Sequence, residues 1–228
     1  MGLDRKDLIS AVPLFASLSE ADREALSSSF VRHSYDRGET VFRQGDTGAH
    51  LYLVESGRIK ITTLAPDGRE AFVAIMGPGQ VFGELSLFIE QQRTADARTM
   101  EPTVLHALAH DDFRPYVNAH PEVAWELLQV LVLMVRRQDQ AIQDMVFLDV
   151  GGRVARRLLD LATQHGEAGS PGIRVNVPIT QEELAQMVGA SRESVNKAVG
   201  SFMDRGWVAL EGRNYVILDE ESLRKRLK

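Results

Sequence analysis

The 228-residue sequence contains no cysteine, which excludes disulfides, thiolate zinc sites, cysteine-ligated iron–sulfur clusters and cysteine catalysis. It also lacks a long hydrophobic run. The least polar stretch, Val123–Val135, is interrupted by Trp125, Glu126 and Gln129 and falls short of the roughly 18 clean apolar residues a membrane span needs. No membrane partner is expected. The first ten residues carry Asp4, Arg5, Lys6 and Asp7 and no apolar segment of signal-peptide type, so a cytoplasmic protein is expected. No nucleophile–base pair and no metal-ligand spacing stands out, so the chain is read as a non-enzyme without catalytic or metal-binding residues. What is present is ordinary for a globular chain: 44% apolar and 25% charged residues, enough for one large or two modest domains.

The net charge of −6 is unevenly spread. Residues 1–151 hold 14 Lys/Arg against 22 Asp/Glu, a net of −8, whereas residues 152–228 hold 12 against 10, a net of +2. An acidic first part joined to a mildly basic second part suggests separate tasks, the second compatible with approach to a polyanion.

A polar helix is expected over Glu20–Phe30, opened by Ser19. From Tyr35 to about His110, short apolar runs (Thr40-Val-Phe, Leu51-Tyr-Leu-Val, Ile59-Lys-Ile, Ala71-Phe-Val-Ala-Ile, Val104-Leu-His-Ala-Leu) alternate with glycines. Short strands punctuated this way predict a small antiparallel sandwich or barrel, with Pro66-Asp67-Gly68-Arg69 as a hairpin turn. From Pro121 to Met145 the texture is helical. Ala124, Leu128, Leu131, Val135, Ile142 and Met145 make a heptad stripe whose polar member is Gln138. A helix of roughly 25 residues would be about 37 Å long, so the stripe is read as the seam of a parallel homodimer; packing on the chain's own β domain is the alternative. Asp149 then caps a helix over Arg153–Thr163, with Gly151 and Gly152 read as a hinge. A loop over 166–172 and a strand Ile173–Val177 follow.

Thr180-Gln-Glu-Glu183 is a capping box. The helix it opens ends at Gly189, and Ser191 caps a second helix whose inner face is Val195, Ala198, Val199 and Phe202. Ala185, Gly189 and Val195 have the size and spacing a tight helix-turn-helix crossing demands. The second helix turns Arg192, Glu193, Asn196 and Lys197 outward near its N-terminal end, where side chains can reach base edges in a major groove. Trp207–Leu218 reads as a strand–turn–strand wing with Arg213 at its tip, suited to a phosphate.

In the first part, Phe82-Gly83-Glu84-Leu85-Ser86 is followed by Arg93-Thr94. Gly83 permits close backbone approach, the amides of Leu85 and Ser86 begin a turn that attracts an anion, and Arg93 returns on the next strand to pair with a phosphate. Glu84 suits a ribose hydroxyl. A surface Glu–Arg pair is the plainer alternative.

Gly-Glu-Leu-Ser…Arg-Thr-Ala within a glycine-punctuated β-roll resembles the cyclic-nucleotide-binding module. Phe147-Leu-Asp-Val-Gly-Gly-Arg153, Ser191-Arg-Glu-Ser-Val-Asn-Lys197 and Arg205-Gly-Trp207 resemble the CRP/FNR transcription-factor family, in particular its actinobacterial cyclic-AMP receptor branch. The resemblance spans nearly the whole chain. It implies an α+β architecture: a cyclic-nucleotide-binding β-roll over 1–118, a dimerisation helix and hinge over 119–149, and a winged helix-turn-helix over 150–228. It also implies a homodimer, cyclic AMP as allosteric effector, double-stranded DNA with TGTGA-like half-sites, and recruitment of RNA polymerase. Arg192 and Lys197 would then face guanines, Glu193 a cytosine, and Thr180 and Arg213 the phosphates. Where relatives offer Thr followed by Ser or Asn to the adenine amine, this chain has Gln138 and Asp139. Both can accept a hydrogen bond; Gln138 could equally set the register of the seam. Cyclic GMP, cyclic di-GMP, ligand-free activity, a regulatory module of a signalling enzyme and a haem sensor using some of His33, His50, His106, His110, His120 and His165 are the alternatives. No axial histidine pair is visible for the last.

Overall fold

The computed structural model describes residues 9, 12, 15, 18–65, 68, 70–84 and 92–227. The chain divides into two compact units, residues 1–135 and 136–228.

The first unit opens with α1 (Glu20–Ser29), whose N-cap Ser19 accepts the Asp22 amide. Eight strands follow: β1 (Val31–Tyr35), β2 (Thr40–Phe42), β3 (His50–Ser56), β4 (Ile59–Leu64), β5 (Glu70–Met76), β6 (Val81–Phe82), β7 (Asp96–Thr99) and β8 (Thr103–Ala109). They form two antiparallel four-stranded sheets, in the orders β1-β8-β3-β6 and β2-β7-β4-β5. One face of β3 and β8 buries Leu51, Leu53 and Leu108 against Phe30, Phe113, Val123 and Leu127. The other buries Val54 and Leu105 between the sheets, with Ile59, Phe82 and Ala97. Burial on both faces is why these strands read as continuous apolar runs rather than alternations. The β4–β5 hairpin has Leu64 opposite Glu70 and Gly68 at φ 84°; Pro66, Asp67 and Arg69 lie outside the described residues. The strand texture begins at Val31, four residues before Tyr35. Val31–Ser34 form an exposed edge strand, and an edge strand without a buried face carries no alternation.

Helix α2 (His110–Ala119) leads into α3 (Pro121–Phe147), a continuous helix of 27 residues. Val123 and Leu127 of α3 are buried, whereas Leu128, Val135, Ile142 and Met145 are exposed and Leu131 is half-buried.

In the second unit α4 (Val150–His165) is capped by Asp149, whose side chain accepts the Gly152 amide at 2.7 Å. Gly151 and Gly152 lie in the first helical turn, and the break between α3 and α4 is confined to Leu148 and Asp149. A Cβ on Gly152 would lie 3.0 Å from the Arg226 carbonyl and 3.1 Å from Leu148 Cβ. These glycines admit a close neighbour. The expected 166–172 loop is partly strand: β9 (Gly166–Ala168) pairs with β10 (Ile173–Val175). That strand ends two residues before the expected Val177. Helices α5 (Gln181–Val188) and α6 (Arg192–Asp204), strands β11 (Val208–Glu211) and β12 (Asn214–Ile217), and α7 (Glu220–Lys225) complete the unit, with sheet order β11-β12-β10-β9. Among the described residues, no helix is long and apolar enough to cross a membrane.

Candidate nucleotide pocket and nucleic-acid interface

Arg93 is a buried cation in the first unit, 6% exposed. It lies in a connecting segment ahead of β7 rather than within a strand, and its backbone is pinned from both directions. Its amide donates to the Asp46 carbonyl at 2.7 Å, and its carbonyl accepts the Gly45 amide at 2.8 Å. Next to it Gln92 bridges Thr47. The guanidinium donates through Nη1 to the Gly83 carbonyl at 2.9 Å and through Nη2 to the His50 carbonyl at 2.7 Å. Its Cζ lies over Phe42, 4.1 Å from the ring centroid, and more distantly over Tyr52, at 5.8 Å. Burial presses against the arginine charge, while Tyr52, Glu84 and Asp46 favour it.

Gly83 is where this site constrains residue type. Its φ is +80°, a conformation that side chains with a Cβ rarely adopt, and a Cβ there would lie 2.8 Å from Arg93 Nη1 and 3.2 Å from the His50 carbonyl. Phe82 is buried and stacks on Tyr52 at 5.3 Å. Glu84 is half-buried. Burial pushes its carboxyl above the ordinary glutamate value, and its own backbone amide and Arg93 pull it back. The structure thus gathers Phe82, Gly83, Glu84 and Arg93. Thr94 is exposed beside them, and Leu85 and Ser86 lie outside the described residues. Gln138 and Asp139 are exposed on the part of α3 that belongs to the second unit. Sequence reasoning missed Phe42, Tyr52 and the His50 carbonyl. A backbone acceptor has no side-chain signature, and Phe42 reads as one more apolar strand residue. Of the histidines, His106 is buried and engages Glu55 at 2.7 Å.

In the second unit the capping box is complete. Thr180 Oγ1 accepts the Glu183 amide at 3.1 Å, and Glu183 Oε2 accepts the Thr180 amide at 2.9 Å and its hydroxyl at 2.8 Å. Gly189 takes the left-handed conformation that ends α5, φ 61°, and Ser191 caps α6 through the Ser194 amide. Val195, Val199 and Phe202 are buried. Their burial leaves Arg192, Glu193, Asn196 and Lys197 exposed together on the first two turns of α6. Phe202 stacks on Trp207 at 5.6 Å, tying α6 to the β11–β12 hairpin, and Arg205 lies over the same indole at 5.0 Å. Gly212 at φ 65° makes the hairpin turn that carries the exposed Arg213.

A β-roll holding a buried arginine, joined through a long helix to a winged helix-turn-helix, defines the class of ligand-responsive transcription regulators. Residues 32–120 match the cyclic nucleotide-binding domain and residues 152–226 the Crp-like helix-turn-helix domain. The chain is 40% identical over 222 residues to the CRP-like cAMP-activated global transcriptional regulator of Mycobacterium tuberculosis, covering 97% of this chain and 99% of that protein. It is 34% identical over 213 residues to the cyclic AMP receptor protein of Thermus thermophilus, covering 91% and 95%. The solved structure of the c-di-GMP-responsive global regulator CLP of Xanthomonas campestris matches with a TM-score of 0.75 at 26% identity, covering 87% of this chain and 99% of that one. The chain belongs to the CRP/FNR family of transcription regulators.

Proposed function

We propose that this chain is a cyclic-AMP-responsive, sequence-specific transcription regulator that acts as a cytoplasmic homodimer on a near-palindromic operator with TGTGA-like half-sites and recruits RNA polymerase. Residues 1–118 take the nucleotide, 119–149 dimerise and transmit, and 150–228 bind DNA. The observation that carries this reading is one chain holding both a buried arginine braced on Gly83 and a doubly capped helix-turn-helix with four polar side chains exposed at the start of α6. Arg93 supplies a fixed positive charge for the cyclic phosphodiester. Glu84 accepts from the ribose hydroxyl, and the 85–86 amides add donors. Gln138 or Asp139 accepts from the adenine amine. Leu128, Leu131, Val135, Ile142 and Met145 form the seam, and the exposure of all but the half-buried Leu131 on one chain supports an apolar partner face. Arg192, Glu193, Asn196 and Lys197 read bases, with Ser191, Thr180 and Arg213 at the backbone. No residue is assigned to catalysis.

Nucleotide and DNA then act as two ligands of one two-state protein. By linkage each tightens the other by the same factor. Calorimetric titration with cyclic AMP, cyclic GMP and cyclic di-GMP, each with and without operator, tests the reading. Micromolar binding of cyclic AMP that tightens on operator supports it; no binding of any of the three refutes the pocket. A second reading, the same regulator answering cyclic di-GMP, is favoured by the likeness to CLP. It stands if cyclic di-GMP alone binds and alters DNA affinity.

A further inference from the structure

Phe42 meets the proposed phosphate site through Arg93. It ends β2, where the pairing with β7 slips: Thr40 lies opposite Arg98, but Phe42 lies opposite Ala97. The extra residue is a bulge, a device that re-aims a side chain, and here Phe42 packs against the cluster between the sheets. Its ring centroid is 5.8 Å from that of Tyr52 and 6.0 Å from that of Phe82, and Tyr52 and Phe82 are themselves stacked at 5.3 Å. Three rings from β2, β3 and β6 therefore form one platform, and the Arg93 guanidinium lies over two of them, Phe42 and Tyr52.

That platform adds to the constraints on Arg93. The Gly83 and His50 carbonyls hold two edge nitrogens in the plane of the guanidinium. The Phe42 ring, its centroid 4.1 Å from Cζ, adds an aromatic contact against the guanidinium. It also offers the negative face of its π system to a cation that has left water, the setting in which such contacts are strongest. An anion site whose donor is already oriented loses less entropy on binding than one that must order a long side chain.

We infer that Phe42 is a positioning residue for the phosphate-binding arginine, setting anion affinity through Arg93 without touching the ligand. This role rests on the proposal that Arg93 receives the phosphodiester.

The test is calorimetric titration of the full chain with cyclic AMP, alongside the Arg93 Nε–H resonance of the unliganded protein, which the Phe42 ring current shifts. Phe42→Leu should weaken binding about tenfold and move the resonance, the scale of a desolvated cation–π contact. Phe42→Met, close in volume but without a ring, should do the same if the leucine variant folds poorly. Phe42→Tyr restores the ring, and should bind within about threefold of the parent and keep the resonance in place. Parent-like affinity in Phe42→Leu and Phe42→Met overturns the role, as does an affinity loss with the Arg93 resonance unmoved. A parent that binds no cyclic nucleotide overturns the pocket reading itself and this role with it.

Discussion

One guanidinium nitrogen of Arg226 donates to both carboxylate oxygens of Asp149, at 2.9 and 2.7 Å, and the first of those oxygens also accepts the Gly152 amide. A single side chain thus caps α4 and anchors the C-terminal turn after α7. Of the two roles the cap is the stronger. The Asp149 side chain is 67% exposed, where water and salt weaken an ion pair to about 0–1 kcal/mol, whereas losing an N-cap costs about 0.5–2 kcal/mol. Asp149→Ala should therefore lower stability in urea denaturation by about 1–2 kcal/mol, and Asp149→Asn, which keeps an acceptor, by less. The Gly152 amide first, and then Arg226, hold the carboxyl below its ordinary value. A depressed folded value stabilises the protein above the unfolded value, about 3.9, and that stability is lost as pH falls through the folded value. The gap between parent and Asp149→Asn should accordingly close in acid. An Asp149→Ala variant as stable as the parent would sink the capping role.

Gly83→Ala should damage nucleotide binding more than overall stability. Left-handed alanine costs about 1–2 kcal/mol, but its Cβ would also press on Arg93 Nη1 at 2.8 Å and displace the donor. Arg93→Ala should weaken cyclic AMP binding by about 1.5–3 kcal/mol, as hydrogen bonds to charged groups do. Titration of both variants decides the matter, with parent-like affinity in either counting against the site.

Glutamate at Leu131 and Val135 would face its own copy across the proposed seam, and a buried pair of like charges cannot be accommodated. Sedimentation should find the double variant monomeric. A dimer that persists would place the interface elsewhere.

Arg192→Ala and Arg213→Ala should differ in kind. The first should cost roughly 1–3 kcal/mol and relax the preference at one guanine, while the second should weaken binding to every sequence alike. Measuring both across operators with single base changes separates base readout from phosphate contact. Identical profiles for the two variants would contradict the assigned roles.

Much of the second unit was legible because its signals are local. Thr180 with Glu183, Ser191 with Ser194 and the left-handed Gly189 are bonds and conformations within four residues, the span over which side-chain type and backbone geometry are coupled. The same holds for the turn at Gly68 and for the length of α3. β1 escaped because its exposed Val31–Ser34 is held by β8, 70 to 76 residues later, and no local pattern encodes a distant partner. Gly151 and Gly152 carry a constraint that the sequence does not display. Two glycines suggest freedom, yet here they answer to Arg226, brought against them by the folding of the whole unit.

Glycine at 83 and arginine at 93 were visible as a ligand motif, and their residue types alone determined that an anion could be met there. That the arginine is buried, its edge tied to the His50 and Gly83 carbonyls and its Cζ set over Phe42, was decided only in three dimensions. Chain entropy opposes bringing residues 42, 50, 83 and 93 together, and only closure of two sheets over a common apolar cluster overcomes it.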